Sequence, residues 1–344
     1  MLIGIIYFRS GFMMKKINLA VVGATGMVGR TFLKVLEEKD LPIENFYVMA
    51  SKRSAGNTIV FKGKEYVGEA LTEESFDKPI DIALFSAGGS TSEKFAPIAA
   101  AKGCIVVDNS SQWRMDPEVP LVVPEVNPED IKWNKGIIAN PNCSTIQAVV
   151  ALKPLDEKYS IKRIVYSTYQ AVSGAGVAGW NDLENGLKGE EPKKFPYAIA
   201  SNCLPHIDVF MDNGYTKEEM KMIWETRKIL HKDDLKITAT AVRVPVFNSH
   251  SESVNVEFDN PVEVDDVKTT LKEAPGIILE DDPSSNVYPL ALNATGHDEV
   301  YVGRVRRDES VDNGINFWVV ADNIRKGAAT NAVQIAELLI KDMQ

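Results

Sequence analysis

Ile17-Asn-Leu-Ala-Val-Val22 runs directly into Gly23-Ala24-Thr25-Gly26-Met27-Val28-Gly29-Arg30. An apolar strand that ends on GxxGxxG glycines and turns into an amphipathic segment, 27–38, has the strand, turn and helix of a dinucleotide-binding unit. The glycines let the backbone approach a pyrophosphate, and free N–H groups at the helix start hold its charge. Gly23, Thr25, Gly26, Met27 and Val28 are therefore candidate cofactor contacts. Ala24 stands where the commoner fingerprint has its second glycine, so a tight turn with no ligand is the bland alternative.

Outward from this junction, apolar runs recur at 45–50, 80–85, 104–107 and 136–139, with a second clear helix at 92–102. Continuous apolar strands separated by helices predict a mostly parallel sheet covered on both faces. The fold class is thus α/β, with a Rossmann-like doubly wound first domain. Past residue 155 the texture changes to long β-rich runs, Ile161 to Gln170, Leu235 to Phe247 and Ser251 to Phe258. A Gly-rich polar insertion at 173–193 and a helix near 216–230 separate them. Alternation such as Ser253-Val-Asn-Val-Glu-Phe258 fits a sheet with one covered face, so the second domain is α+β and its open face is a candidate dimer surface. Arg325 to Ile340 reads as a closing helix returning to the first domain. The expected division is 14–142 for nucleotide binding, completed by 323–344, and 143–322 for catalysis and dimerisation. Residues 1–13 read as an N-terminal extension, lacking the features of a signal peptide.

Composition excludes several classes of function. Of 344 residues, 38 are Lys or Arg and 48 Asp or Glu, a formal charge of -10 whose field repels nucleic acid and anionic membranes alike. An anionic substrate would need local Arg and Lys. Cys104, Cys143 and Cys203 are too few and too scattered for a disulfide framework, which predicts a reducing, cytoplasmic setting. No His, Cys and carboxylate cluster has metal-ligand spacing, so no metal is expected.

The end of the second strand bears on which nucleotide binds. A sheet built for NAD places a carboxylate there for the ribose 2′-hydroxyl. This chain instead has Ser51-Lys52-Arg53-Ser54, whose hydroxyls and guanidinium suit a 2′-phosphate. NADP is therefore preferred over NAD, with Ser51, Arg53 and Ser54 as its contacts. An ordinary solvated charge pair is the alternative for Lys52 and Arg53.

Cys143 follows Ala139-Asn-Pro-Asn142 and opens a helix, where N–H groups and the helix dipole are expected to stabilise a thiolate and lower its pKa. Cys104, in an apolar run, and Cys203, beside Leu204-Pro205, read as structural. So do His206, His231 and His297, as satisfied surface or core histidines.

With these segments in view, the sequence from Met14 onward resembles the aspartate-β-semialdehyde dehydrogenase family. The resemblance rests on the glycine loop, Asp108-Asn-Ser-Ser111, Pro141-Asn-Cys-Ser-Thr145, Gln170-Ala-Val-Ser-Gly-Ala-Gly176, Arg243-Val-Pro245, His250-Ser-Glu252 and Asp322-Asn-Ile-Arg-Lys-Gly-Ala-Ala329. It implies NADPH-dependent reductive dephosphorylation of L-4-aspartyl phosphate to L-aspartate 4-semialdehyde, on the route to lysine, threonine, methionine and isoleucine. Cys143 matches the nucleophile that forms a thioester, and His250 the acid/base. Arg243 matches the grip on the substrate carboxylate, Arg114 and Lys221 the phosphate contacts, and Glu218 the partner of the substrate ammonium, with neighbouring Glu219 as the alternative. Gln170 matches a residue orienting substrate, and Asn142 with the helix start supplies backbone donors to developing oxyanions. Ser173, Gly174 and Asn323 match the nicotinamide side, although Asn323 also reads as a helix cap. A homodimer is implied, with a tetramer as the alternative. Rival readings are a related acyl-CoA or N-acetyl-glutamyl-phosphate reductase, and a non-catalytic nucleotide-binding scaffold.

Overall fold

A computed structural model describes residues 16–344; the expected extension at 1–13 lies outside them. The first half contributes β1 (Ile17–Val22), α1 (Met27–Lys39), β2 (Ile43–Ala50), β3 (Thr58–Phe61), β4 (Lys64–Val67), β5 (Glu69–Ala70), β6 (Ile82–Phe85), α2 (Gly89–Ala101), β7 (Ile105–Asp108) and β8 (Ile137–Ala139). Five of these strands flank β1 or its neighbours in an all-parallel sheet of order β5-β2-β1-β6-β7-β8. The order reverses at β1, and the crevice beyond the strand ends there is where such sheets bind nucleotides. The β3–β4 hairpin stands outside the sheet and carries no sequence expectation.

The period of two along β1 sorts its side chains between two cores. Ile17, Leu19 and Val21 pack with Phe32, Leu36, Val333 and Leu339, whereas Ala20 and Val22 face Phe85, Ala96 and Ile146. The first group joins α1 to α8 (Asn331–Asp342), so the end of the chain covers the sheet built by its beginning. The segment before it, Arg325–Thr330, is a π-helical turn and not the start of a regular α-helix. Arg325 pairs with Asp298 at 2.8 Å, and fully buried Lys326 with Glu125 and Gln334 at 2.7 Å.

Between the two sheets lies α3 (Cys143–Tyr159), eleven of whose seventeen residues are buried. A helix apolar on all sides has to be packed on all sides. It touches α5 (Lys217–Leu230), α6 (Val264–Glu273) and the second sheet. That sheet runs β10 (Lys236–Arg243), β9 (Ile161–Gln170), β11 (His250–Phe258), β14 (Gly314–Ala321), β13 (Val300–Asp308) and β12 (Ile277–Leu279). It is mixed, with parallel pairs at both edges. The strand expected over 235–247 stops at Arg243, because Pro245 has no N–H to continue a ladder. The insertion at 173–193 is partly helical, as α4 (Gly176–Gly186). No helix among the described residues is long and apolar enough to cross a membrane.

Candidate active site

A cleft of about 630 Å³ lies where α1, α3 and the second sheet meet. It is lined by Met27, Val28, Arg114, Asn142, Cys143, Gln170, Ser173, Gly174, Glu218, Lys221, Arg243 and Asn323, residues drawn from nearly the whole chain.

On one side is the glycine turn. Gly23 has φ +85°, and a Cβ there would lie 2.4 Å from the Ser86 carbonyl oxygen. Gly29 is as tightly placed, 2.2 Å from the Gly23 oxygen, so strand and helix touch through backbone alone. Gly26 caps α1 with no side-chain hydrogen bond, and no acidic residue stands in the first turn. The N–H groups there are open to an anion, and the turn suits a dinucleotide pyrophosphate. Gly23 N–H donates to the Met49 carbonyl, which brings the Ser51–Ser54 turn beside it. Ser51, Arg53 and Ser54 lie outside the cleft lining, with Ser51 and Ser54 hydroxyls 3.4 Å apart and Arg53 exposed.

On the other side α3 starts at Cys143. Asn142 caps it, its Oδ1 accepting from Ser144 and Thr145 N–H, while its Nδ2 donates to Glu218 at 2.9 Å. The Asn142 N–H, expected as an oxyanion donor, is already given to Glu225 at 2.6 Å. Of the first four N–H groups, that of Cys143 is left without a partner.

Glu218 also accepts from Gln170 at 3.2 Å and Lys221 at 3.1 Å. Burial is the strongest influence on its carboxyl and works upward. Lys221, the Asn142 amide and Arg243 outweigh it, so the carboxyl lies below its ordinary value and stays ionised. Lys221 is held by Glu218 and by Asp208 at 2.7 Å; burial opposes its charge, but the two carboxylates raise it overall. Glu219 faces elsewhere, closing a capping box with Thr216 and accepting from Ala241 N–H. The structure thus separates the two neighbouring glutamates.

Arg114 donates to the Asn140 and Asn109 carbonyls and pairs with buried Glu225 at 3.1 Å. Glu225 had no role in the sequence reading. Its signal was its spacing, two helical turns after Glu218 on the same buried face of α5. Arg243 gives Nη1 to the Ala171 carbonyl at 2.7 Å and leaves Nε unpartnered.

Several expectations are corrected. The Cys143 thiol is not acidic: burial pushes it up to about 12, and Glu218's charge adds to this against Arg114 and Arg243. Desolvation outweighs the helix start. His250 is fully buried and does not line the cleft. Its Nδ1 accepts from Ala171 N–H at 3.0 Å, so the neutral ring carries its proton on Nε2. Burial first, then Arg243, lowers its pKa to about 3. Gly174 stands between, where a Cβ would lie 3.2 Å from Nε2. Asn323 is not a cap; it bonds Ser173 and accepts from Ser249 N–H, while Asp322 accepts from Ile324 and Arg325 N–H. Cys203 is exposed, whereas Cys104 is buried. His206 lines the cleft and stacks on Phe210 at 4.3 Å. Gly327, from the π-helical turn, abuts Cys143, where a Cβ would come within 2.8 Å. Glu129, Asp130 and His231 converge in space despite their separation in sequence, but Asp130 already accepts from Asn127 and Trp133.

A nucleotide turn and a half-buried thiol facing one cleft define an oxidoreductase-like architecture, and comparison gives it a family. The description "Semialdehyde dehydrogenase, NAD binding domain" matches residues 18–134, and "Semialdehyde dehydrogenase, dimerisation domain" matches 152–326. The chain belongs to the semialdehyde dehydrogenase family. The aspartate-semialdehyde dehydrogenase of Aquifex aeolicus is 60% identical over 334 residues, covering 94% of this chain and 98% of that one. The crystal structure of aspartate semialdehyde dehydrogenase II from Vibrio cholerae complexed with ASA superposes with TM-score 0.92 at 51% identity, over 95% of this chain and 99% of that one. The Candida albicans aspartate semialdehyde dehydrogenase with NADP is more distant, TM-score 0.75 at 28% identity, over 94% and 98%.

Proposed function

We propose that the chain is an aspartate-semialdehyde dehydrogenase, catalysing the NADPH-dependent reductive dephosphorylation of L-4-aspartyl phosphate to L-aspartate 4-semialdehyde and phosphate. The observation that carries this reading is the charge pattern around Cys143. The carboxylate Glu218 and the cations Arg114, Lys221 and Arg243 share its cleft; Asp208, which pairs with Lys221, and Lys194 complete the charged lining. A substrate with one ammonium, one carboxylate and a phosphate complements that set.

Glu218 takes the ammonium, Arg243 the α-carboxylate, and Arg114 with Lys221 the phosphate, while Gln170 orients the acyl group. The Cys143 sulfur attacks the acyl carbon, forming a C–S bond as the bond to phosphate oxygen breaks; the electron pair and the thiol proton leave with phosphate. The Cys143 N–H faces the developing oxyanion. When bound, the nucleotide supplies a hydride for reduction of the thioester. The resulting alkoxide collapses to the aldehyde as the C–S bond breaks; the neutral His250 ring offers its Nε2–H as a hydrogen-bond donor on that side, and the thiolate released takes up one proton from solvent. Gly23, Thr25, Gly26, Met27 and Val28 would hold the pyrophosphate, and Ser173, Gly174 and Asn323 the nicotinamide end. The 51–54 turn has no carboxylate and suits the 2′-phosphate of NADP.

The exposed face of the second sheet, where Tyr169 and Trp318 pair at 5.5 Å, is read as the surface joining a homodimer, with a tetramer as the alternative that sedimentation decides. Residues 14–142 with 323–344 then form the nucleotide domain and 143–322 the catalytic and dimerisation domain, and the few scattered cysteines support a reducing, cytoplasmic setting.

The test is NADP⁺ reduction with L-aspartate 4-semialdehyde and phosphate, beside N-acetyl-glutamate semialdehyde, and with CoA in place of phosphate. Turnover confined to the free-amino substrate and phosphate is expected. Equal turnover with either replacement overturns the substrate assignment in favour of the related reductases.

A further inference from the structure

Three glutamates are buried against the start of α3, and only two have partners. Glu218 is held by Asn142, Gln170 and Lys221, and Glu225 by Arg114 and the Asn142 N–H. Glu252, on β11, has no exposed surface, and neither carboxyl oxygen has a hydrogen-bond partner. It forms no ion pair among the described residues.

Its surroundings are specific. Glu252 is two residues from His250, so both project from one face of β11. Its neighbours across the sheet are Thr168 on β9 and Val319 on β14. The α3 residues Ser144 and Gln147, three apart and so on one helix face, each carry a fully buried oxygen with no partner, Oγ and Oε1. Gln147 Nε2 meanwhile donates to the His250 carbonyl at 3.2 Å, tying α3 to this stretch of strand. With Glu252 ionised, the group would hold four unpartnered acceptor oxygens and one donor, the Ser144 hydroxyl. A proton on the carboxyl supplies a second donor and removes a buried charge that nothing offsets.

We propose that Glu252 is a positioning residue kept in its neutral, protonated form, whose O–H works with Ser144 and Gln147 to hold the first turn of α3, and so Cys143, against the strand carrying His250. Burial drives its carboxyl well above the ordinary range; the neighbouring Ser144 hydroxyl, close by but outside hydrogen-bonding geometry, opposes this, and the Glu218 charge from α5 reinforces it. The other titratable group facing it is Tyr166 on β9, a neutral phenol that burial pushes upward and whose hydroxyl is bonded to Thr226. The positioning role rests on the proposed function of Cys143, but the protonation state does not.

The test compares wild type with Glu252→Gln and Glu252→Ala. Above the ordinary carboxylate range the unfolded chain has released this proton and the folded chain has not. Wild type should therefore lose stability relative to E252Q as pH rises, by up to about tenfold in the unfolding constant per pH unit. Urea unfolding between about pH 5.5 and 8.5 reads this without any substrate. Parallel curves mean an ionised Glu252 and overturn the proposal. In turnover, E252A should lower kcat by roughly 10- to 100-fold with the nucleotide KM unchanged, and E252Q should restore most of it. An E252Q enzyme as impaired as E252A overturns the positioning role, because it means the proton itself moves in the reaction. Should E252A fail to fold, unfolding of wild type against E252Q still decides the protonation state, and an E252Q enzyme slower than wild type by about tenfold or more overturns the positioning role. No turnover in wild type sinks the substrate reading and leaves the unfolding result standing.

Discussion

The two walls of the cleft are built on different principles. The nucleotide wall is backbone: a seven-residue turn in which Gly23 and Gly29 have no room for a Cβ and the N–H groups at the start of α1 have no side-chain partner. The thiol wall is side chain: Arg114, Asn142, Gln170, Glu218 and Glu225 interlock through buried hydrogen bonds, with Arg243 beside them bonded to the Ala171 carbonyl. A backbone site is governed by space, and a side-chain site by charge. Substitutions on the two walls should therefore fail in different ways.

The largest separation is expected from Cys143→Ala. Turnover should fall by roughly 10⁴-fold or more, since Cys143 is the one thiol lining the cleft and the proposed carrier of the acyl intermediate. Nucleotide affinity, read by fluorescence quenching or calorimetry, should stay within about twofold, because the glycine turn makes no use of the thiol. A matching loss of nucleotide binding would mean the two walls are not independent.

Glu225→Ala breaks the charge logic without touching the thiol. It leaves Arg114 and the Asn142 N–H buried without their carboxylate. Burial draws the Glu225 carboxyl above its ordinary value, against the pull of Arg114 and that N–H, so the group has no solvent alternative. Removing one partner of a buried pair costs about 3–5 kcal/mol. Urea denaturation should show a loss near 3 kcal/mol, and a loss below 1 would show that Arg114 finds compensation in the Asn140 and Asn109 carbonyls.

The same contrast explains what was legible before the structure. The nucleotide wall lies within residues 23–29, where local spacing and chemistry coincide. The parallel sheet was legible for a related reason: its inner strands β1 and β6 are almost wholly apolar because both faces are covered there. The thiol wall depends on contacts between residues as distant as Asn142 and Glu225, and no local pattern reveals that pairing. Hence Glu225 and Glu252 received no role, and the Asn142 N–H was assigned to an oxyanion that it cannot reach while bonded to Glu225. The Cys143 expectation failed for a physical reason too: a helix start is visible in sequence, whereas the burial that outweighs it is a property of the packed cleft. Of the strands without a sequence expectation, β13 has its pattern interrupted by charge, Val300-Tyr-Val-Gly-Arg-Val-Arg-Arg-Asp308, and β12 is three residues long, whereas β14 carries no charge and was legible.

On the nucleotide wall, Gly29→Ala should do by volume what the previous changes do by charge. The new Cβ would stand 2.2 Å from the Gly23 oxygen and 2.7 Å from the Ala24 Cα, both backbone atoms that can yield only by moving the turn. Overpacking of this kind costs about 1–3 kcal/mol. The expected result is a lowered melting temperature and weakened nucleotide binding, with the rate of Cys143 alkylation unchanged. Full retention of nucleotide affinity would show that the turn can absorb the shift.

The smallest effect expected has an inverted sign. Burial is the main cause of the raised Cys143 thiol, and Glu218's negative charge is the next. Glu218→Gln removes only the second, so the thiol pKa should fall part of the way from about 12 towards the ordinary value. Each unit of that fall is about tenfold in thiolate at a fixed pH below it. Alkylation by iodoacetamide at about pH 8 should therefore quicken by roughly tenfold or less, while turnover drops because the substrate ammonium loses its partner. Cys203 is exposed and would react in parallel, so the measurement belongs in a Cys203→Ser background; Cys104, which burial pushes up to about 12, stays silent. A thiol that reacts faster in a slower enzyme would show that Glu218 holds Cys143 protonated until its own charge is met. In wild type the substrate ammonium would do that, tying ionisation of the nucleophile to arrival of the correct substrate. An unchanged alkylation rate would instead leave desolvation as the sole restraint, and ionisation would then have to follow from the proton's departure with phosphate.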